Sequence, residues 1–563
     1  MRFLLLTILG VCCMLENVVA QAPFVPLNDD YYHLIDRYEV KRNRLSEAYH
    51  VAMKPFQRTA VLALVDSLEA DRQMPLNHTD FFNLQYLKND SWEWTSEATP
   101  MSRRPFWKRF YKKPADLFYV QDKNFDLHVS PVTHLILGQE NTSDDYLWLT
   151  SRGVELRGTV GKKVGFYSYV TDSQGMFGQY VRDYTQTVRA PDGFTQVLPA
   201  EGQVKTLRRL GTDFTSARGY ISVNPIKQIN LQFGHDRNFI GSGYRSLLLS
   251  DWSAPYLFLK ATTKLGRFHY TNIWANMMYN QANRASDEPR NKKYAAIHHL
   301  SINLSKNFSL GIFEAEMYGR ENNKLDANYF NPIIFYRFVE FYLGSSDNAF
   351  IGVDVRWNFL KHFGFYSQFI MDEFKTSEYF SVKGSWAKKF GFQAGLKYID
   401  AFGIKNLDLQ GELNLVRPYT YAHKSGFNNY IHFDLPLAHP LGANFWEGLG
   451  IVRYQPSPKL TFYGTLMRSR HGVDIDGRNW GGNIHASYEV GRPSNTGNFI
   501  GQGTPIDVSL IDMRVSYMLK HNFFIDGRLM MRNQESPREA LRLNTTSTTF
   551  GLRLNIPYRQ QIF

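Results

Sequence analysis

Residues Val353–Phe359, VDVRWNF, set Val353, Val355, Trp357 and Phe359 on one side of an extended chain and Asp354, Arg356 and Asn358 on the other. A repeat of two belongs to a strand, because successive side chains of extended backbone point to opposite faces. One face of this strand suits hydrocarbon and the other suits polar groups. The same alternation returns near the C-terminus, where Phe550, Leu552, Leu554 and Ile556 interleave with Thr549, Gly551, Arg553 and Asn555. Such segments recur from about Leu127 onward, behind an export signal, and that combination is the pattern of an all-β transmembrane β-barrel.

The export signal is read from Arg2, the apolar run Phe3–Leu15, and the small-residue site Val18, Val19 and Ala20. The run is too short to span a bilayer as a helix and is expected to be removed, so residues 1–20 are a signal peptide. Cys12 and Cys13 lie inside it, and Val11 before Cys12 does not fit a lipoprotein signal. The exported chain then contains no cysteine, which excludes disulfides, thiol catalysis and cysteine-ligated metals.

After the signal no apolar stretch reaches the roughly eighteen residues of a membrane helix. A barrel passes that test unseen, because every second residue faces the lumen and can be polar, in keeping with a mean hydropathy of -0.36. The aromatic content of 15% fits interfacial girdles. The net charge of +12 survives removal of the signal, since Arg2 and Glu16 cancel. On an exported barrel this basic balance points to anionic glycans or lipid headgroups and away from nucleic acid.

Between Asn28 and Asp71 the residues Leu34, Ile35, Tyr38, Leu45, Ala48, Tyr49 and Ala52 recur at helical spacing. Pro55 stands before a second helix at Ala60–Leu68, so residues 21–75 are expected to be a helical periplasmic segment whose stripe is a packing face. Residues 76–126, with Trp92, Trp94, Trp107, Arg103 and Arg104, are read as a linker or lumen-associated segment, and 127–563 as the barrel. Short lysine-bearing turns are expected at Gly161–Lys163, Lys264–Gly266, Ser305–Asn307, Leu360–His362, Ala387–Lys389 and Leu519–His521, with proline-assisted turns at Pro225–Lys227 and Pro456–Lys459. The stretches between them are much longer, and short periplasmic turns opposite long outer loops are the asymmetry of outer-membrane barrels. The count comes to roughly sixteen to twenty strands. Segments Asp408–Val416 and Asn483–Val490 upset strict up-and-down parity, so some must be loops or occluding hairpins. Phe563 resembles the terminal aromatic that barrel-assembly machinery recognises.

Local motifs add little chemistry. Gly241, Ser242 and Gly243 lack the following helix of a phosphate loop and read as a tight turn. His298, His299, His235, Asp236, His432 and Asp434 lack helical metal-site spacing, and no metal or cofactor is expected. No nucleophile stands out, and the chain is read as non-enzymatic, with no catalytic residues.

The stretch Phe233–Lys260, FGHDRNFIGSGYRSLLLSDWSAPYLFLK, resembles the capsule assembly protein Wzi family, in particular its Bacteroidota branch with the gliding-motility protein RemB. Asn331–Ser346, NPIIFYRFVEFYLGSS, and Arg417–Phe445, containing PYTYAHKSGF and PLAHPLGANF, support it. The resemblance implies a barrel of about eighteen antiparallel strands, periplasmic helices, loops that obstruct the lumen, and an outer-membrane lectin for surface or capsular polysaccharide. Gliding-motility or secretion machinery proteins are the alternative partners it implies, and a diffusion porin is the physical competitor. Within the first stretch, Arg237, Tyr244, Arg245 and Trp252 are candidate contacts for an acidic glycan, arginine by forked hydrogen bonds and aromatics by stacking. Asp236, Arg237, Arg245 and Asp251 have a structural alternative as an ion-paired lumen plug.

Overall fold

The computed structural model describes residues 22–563 except 72–73, 96–100, 103–108, 188–195, 208–210, 280–289, 321–322, 334, 346, 373–382, 476 and 560. The expected signal peptide, with its two cysteines, lies outside the described residues, as do Arg103, Arg104 and Trp107.

Eighteen antiparallel strands close into one barrel. In chain order they are β1 (Phe125–Glu140), β2 (Ser143–Val160), β3 (Val164–Met176), β4 (Gly211–Ile226), β5 (Ile229–Asp236), β6 (Tyr256–Leu265), β7 (Phe268–Tyr279), β8 (Asn291–Asn303) and β9 (Phe308–Tyr318). The second half continues with β10 (Asn348–Phe359), β11 (Phe363–Asp372), β12 (Phe390–Tyr398), β13 (Leu407–Val416), β14 (Phe445–Ser457), β15 (Leu460–Val473), β16 (Thr504–Lys520), β17 (Phe523–Glu535) and β18 (Leu543–Leu554). β18 pairs with β1 from Ser547↔Glu140 to Leu554↔Thr133, which closes the cylinder. Beyond the end of β18, the strand Phe118–Gln121 pairs with the same edge of β1 from Val129 to Asp126, which covers most of the edge there.

The alternation along Val353–Phe359 belongs to a wall with two solvents. Along β10, Asp354, Arg356 and Asn358 are buried towards the lumen, whereas Trp357 remains 43% exposed on the outer face. β18 repeats this with Arg553 buried and Phe550 exposed, but the strand ends at Leu554 and Ile556 turns inward. That corrects the longer alternation expected to run through Ile556.

Seven of the eight expected short turns fall between paired strands on one rim, and Ala387–Lys389 does not. It ends the long connection between β11 and β12 on the opposite rim, while Ile399–Asn406 makes the short turn before β13. The parity conflict disappears with this change. Asp408–Val416 belongs to a true strand, and Asn483–Val490 is folded loop with Ile484 and Tyr488 buried.

Three helices seal the short-turn rim. Helix α1 (Asp29–Arg42) is capped by the Asn28 side chain, which accepts from the backbone of Asp30 and Tyr31, and ends at Asn43 in the left-handed conformation. The expected stripe beyond it is not helical: Leu45, Tyr49 and Ala52 are buried, but in turns and irregular backbone. Helix α2 (Arg58–Glu69) follows. Helix α3 (His78–Asp90) starts with a capping box between Asn77 and Asp80, inside the stretch expected to be a linker or lumen-associated segment. Their shared core contains Tyr32, Ile35, Tyr38, Val61, Leu64, Val65, Leu84 and Leu87. Polar bonds tie this bundle to strand ends and turns: Asp30 to Arg514 at 2.8 Å, Arg37 to Asp400 at 2.6 Å and Asp408, Asn83 to Gln455 at 2.8 Å, and Tyr86 to Asn522 at 2.6 Å.

From the opposite rim the connection 237–255 folds into the lumen. Phe239 and Ile240 pair antiparallel with Lys54 and Met53 of the N-terminal segment, so material entering from the two ends meets inside the wall. Leu247, Leu248 and Leu249 sit with Met53, Phe313, Met317, Phe350, Tyr421, Tyr430 and Leu437 in one lumenal apolar cluster. The tail after β18 also enters, and Ile562 and Phe563 are buried against Tyr180, Trp252, Leu435 and Leu510. Phe563 is thus buried in the lumen and does not end a wall strand.

Candidate functional site

The residues singled out in the sequence lie on the inturned connection, and its folding explains their positions. Gly243 lets this backbone approach the wall: a Cβ there would stand 2.6 Å from a Glu412 carboxylate oxygen and 2.9 Å from the Arg245 carbonyl. That closeness allows the Tyr244 and Arg245 amides to donate to Glu412 at 2.7 and 3.0 Å. The Arg245 guanidinium then reaches Glu447 with two bonds of 3.2 and 3.0 Å and the Ile562 carbonyl at 2.6 Å. Burial alone would lower the Arg245 pKa; the Glu447 carboxylate overrides this and holds it above the ordinary range. Ser246 Oγ accepts from the amides of Leu248 and Leu249, and the hydroxyls of Tyr421 and Tyr430 donate to the Leu247 and Leu248 carbonyls, both at 2.7 Å.

Arg237, Tyr244, Arg245, Asp251 and Trp252 line a common lumenal cavity of about 150 Å³, together with Asp29, Arg218, Glu201 and Arg559. Asp236 stands outside that lining, where its carboxylate faces Arg218 at 4.0 Å and accepts from the Arg237 amide at 2.8 Å. Arg237 donates through Nη1 to the Asp251 carbonyl at 2.8 Å, while its buried Nε has no hydrogen-bond partner among the described residues. Trp252 is engaged on one side, with its ring 5.3 Å edge-on to Phe563 and its Nε1 3.4 Å from the Tyr184 hydroxyl. Asp29 of α1 is pushed up to about 6 by burial and by the Asp251 carboxylate. The cavity thus combines arginines, aromatic rings and a carboxyl that changes charge near neutrality.

Arg218 lies against the Tyr169 ring at 4.2 Å, and Arg559 pairs with Glu201 at 3.1 Å. Sequence reasoning missed these groups and the two glutamates that hold the loop. A signal for one was present: Asp408, Gln410, Glu412 and Asn414 alternate along β13 and mark its polar, inward row. The histidines weighed as metal ligands are dispersed. His298 and His299 are neighbours in a strand and face opposite sides of the wall, His299 bonding Asp354 at 2.6 Å inside and His298 packing on Tyr336 outside. His432 accepts from the Met278 amide at 3.0 Å, and His235 is solvent-exposed.

No family model matches the chain, and no curated protein does. Among solved structures it is similar to the Escherichia coli outer-membrane protein Wzi, described as a carbohydrate-binding β-barrel involved in group 1 capsule assembly. The TM-score is 0.57 at 12% identity, over 96% of this chain and 100% of that one. The Pseudomonas aeruginosa outer-membrane protein OprD aligns at TM-score 0.42 and 9% identity, over 76% of this chain and 92% of its own. At these identities the likeness to Wzi is one of fold.

Proposed function

We propose that this chain resides in the outer membrane of a Gram-negative cell as a closed barrel that binds surface polysaccharide, and that it does not conduct solutes. The filled lumen carries this reading: Met53 and Lys54 of the N-terminal segment, the connection 237–255 and the residues Ile562 and Phe563 occupy the space a porin keeps open. A wall with no clear bore works through its surfaces and cavities. The fold shared with Wzi, whose description includes carbohydrate binding, supports polysaccharide as the ligand class. The lumenal cavity is the proposed contact site for an acidic sugar unit. Arg237 offers an Nε that no group among the described residues occupies, and the Tyr244 ring borders the same space. Arg245 acts on the ligand only indirectly, because its guanidinium is tied to Glu447.

The test is saturable binding of purified, detergent-solubilised protein to an array of acidic and neutral polysaccharides, with planar-bilayer conductance alongside. Binding reduced at least tenfold by Arg237→Ala, with low conductance, is the expected result. Binding that ignores Arg237→Ala moves the contact to the outer loops. A large steady conductance overturns the closed-barrel reading, and absence of any glycan binding with co-purifying envelope proteins favours a motility or secretion role.

A further inference from the structure

Polarity is inverted on one sector of the barrel wall. Cross-strand partners share a face, and on β9 the outward Ile312 pairs with Val353 and Glu314 with Ile351, both on the outer row of β10. Glu314 and Glu316 therefore point away from the lumen, while Phe313, Ala315 and Met317 point in and join the lumenal cluster. The same outer sector carries His298, opposite Glu314, and Asn272, opposite His298. Two carboxyls, an imidazole and an amide on the lipid face of a barrel are strongly unfavourable if left bare.

They are not bare. The connection between β9 and β10 turns back over the outer wall instead of standing above the rim. Its carbonyls at Tyr329 and Pro332 accept from Trp274 Nε1, at 2.9 Å, and from the Tyr270 hydroxyl. Tyr270 lies only two residues into β7 from the short turn Gly266–Arg267, so the connection descends across most of the wall's height. Its helix, Tyr336–Leu343, buries Tyr336 and Glu340 and packs Val339 and Leu343 towards Tyr294, Ala296, Tyr318 and Trp274. The Arg337 amide donates to Glu314 at 3.2 Å. Glu316, fully buried beneath this cover, has neither carboxylate oxygen hydrogen-bonded among the described residues.

The helix is consequently inside-out. The side against the protein carries Glu340 and Tyr336, whereas Ile333, Phe338, Phe341 and Tyr342 are 82%, 66%, 85% and 89% exposed. In water such a cluster is a liability. Here it continues the apolar outer belt of Leu300, Ile312, Ile351 and Trp357. We infer that the helix Tyr336–Leu343 is a membrane-embedded buttress: its aromatic face contacts lipid acyl chains, and its other face shields Glu314 and Glu316 from hydrocarbon. Continuity with the lipid-facing wall selects lipid over a protein partner.

Single cysteines at Phe338, Phe341 and Tyr342, in a Cys12→Ser/Cys13→Ser background, carry a nitroxide for this test in the full chain reconstituted in phosphatidylethanolamine/phosphatidylglycerol vesicles. Leu137→Cys on the outer wall and Ser494→Cys on an exposed loop are the reference sites. The expected result is collision with oxygen at least threefold above collision with a water-soluble nickel chelate at the three helix positions, matching Leu137 and opposite to Ser494. A pattern like that of Ser494 places the helix in water and overturns the inference. Labels shielded from both probes place a protein or a second copy on this face and also overturn it. Because the labels replace exposed side chains, folding is retained, and Tyr342→Cys suffices if a phenylalanine variant fails. The outcome is independent of glycan binding.

Discussion

Replacing Arg245 with methionine tests whether the inturned connection is held as a plug. The change removes two bonds to Glu447 and one to the Ile562 carbonyl. It leaves the Glu447 carboxylate buried with His439, at 2.8 Å, and Asn414, at 3.2 Å, as remaining partners. Stranding one member of a buried pair costs roughly 3–5 kcal/mol. Against this stand Leu247, Leu248 and Leu249, all fully buried, whose burial is worth about 1.5–3 kcal/mol each. The apolar anchorage, roughly 4.5–9 kcal/mol in sum, is comparable to or larger than the lost pair, so the plug loosens without leaving the lumen. The expected record in a planar bilayer is a closed baseline with brief openings that wild type lacks, and the gel-shift unfolding temperature falls. Arg245→Met combined with Glu447→Met, which removes the stranded charge, regains most of that temperature. A single variant as tight and as heat-resistant as wild type would refute the plug role of the pair.

Glu39 on α1 is fully buried and its pKa is pushed up to about 7, by burial first. A carboxyl held protonated in the folded state loses stability as pH rises from its ordinary value of 4.5 to about 7, on the order of 3 kcal/mol in all. Chemical denaturation should therefore show the helical bundle docked more firmly at pH 5 than at pH 8, and Glu39→Gln should flatten the difference. Gly243→Ala sets a methyl group 2.6 Å from the Glu412 carboxylate and should cost about 1–3 kcal/mol of plug stability, read as increased proteolysis of the 237–255 connection. Phe563→Ala removes the ring packed on Tyr180, Tyr184 and Trp252; a loss of about 3–5 kcal/mol should appear as a lower unfolding temperature, and no change would mean the tail contributes nothing to the lumen.

The strands were legible where one face meets lipid and the other meets polar lumen. β10 and β18 reveal themselves through Trp357 against Arg356 and Phe550 against Arg553 because both environments are simple there. The turn misplacement came from Ala387–Lys389, whose small and basic residues match a hairpin turn in composition while ending a long connection. Helix α3 was hidden for a different reason: HTDFFNLQYLKND has a weak apolar stripe, since much of its surface makes polar contacts with turns, as Asn83 does with Gln455. The candidate residues stood together on one stretch, and five of them, Arg237, Tyr244, Arg245, Asp251 and Trp252, line one cavity. Which way that stretch faces depended on Glu412 and Glu447, far away in sequence, and no local pattern encodes that choice.

The inverted sector of β9 shows why alternation can mislead in a filled barrel. Phe313, Ala315 and Met317 read as a lipid-facing row, and Glu314 and Glu316 as a lumenal one, if the lumen is taken as water. The lumen at that height contains Leu248, Phe350 and Tyr430, so it selects apolar side chains. The outer face is free to carry carboxyls only because Tyr329, Tyr336 and their connection lie over it. Plug and buttress are thus two consequences of one exchange of polarity across a single strand. Making Glu316 leucine should be tolerated by the outer wall, whereas making Met317 glutamate should expel the plug; equal effects of the two changes would show that β9 does not divide two apolar compartments.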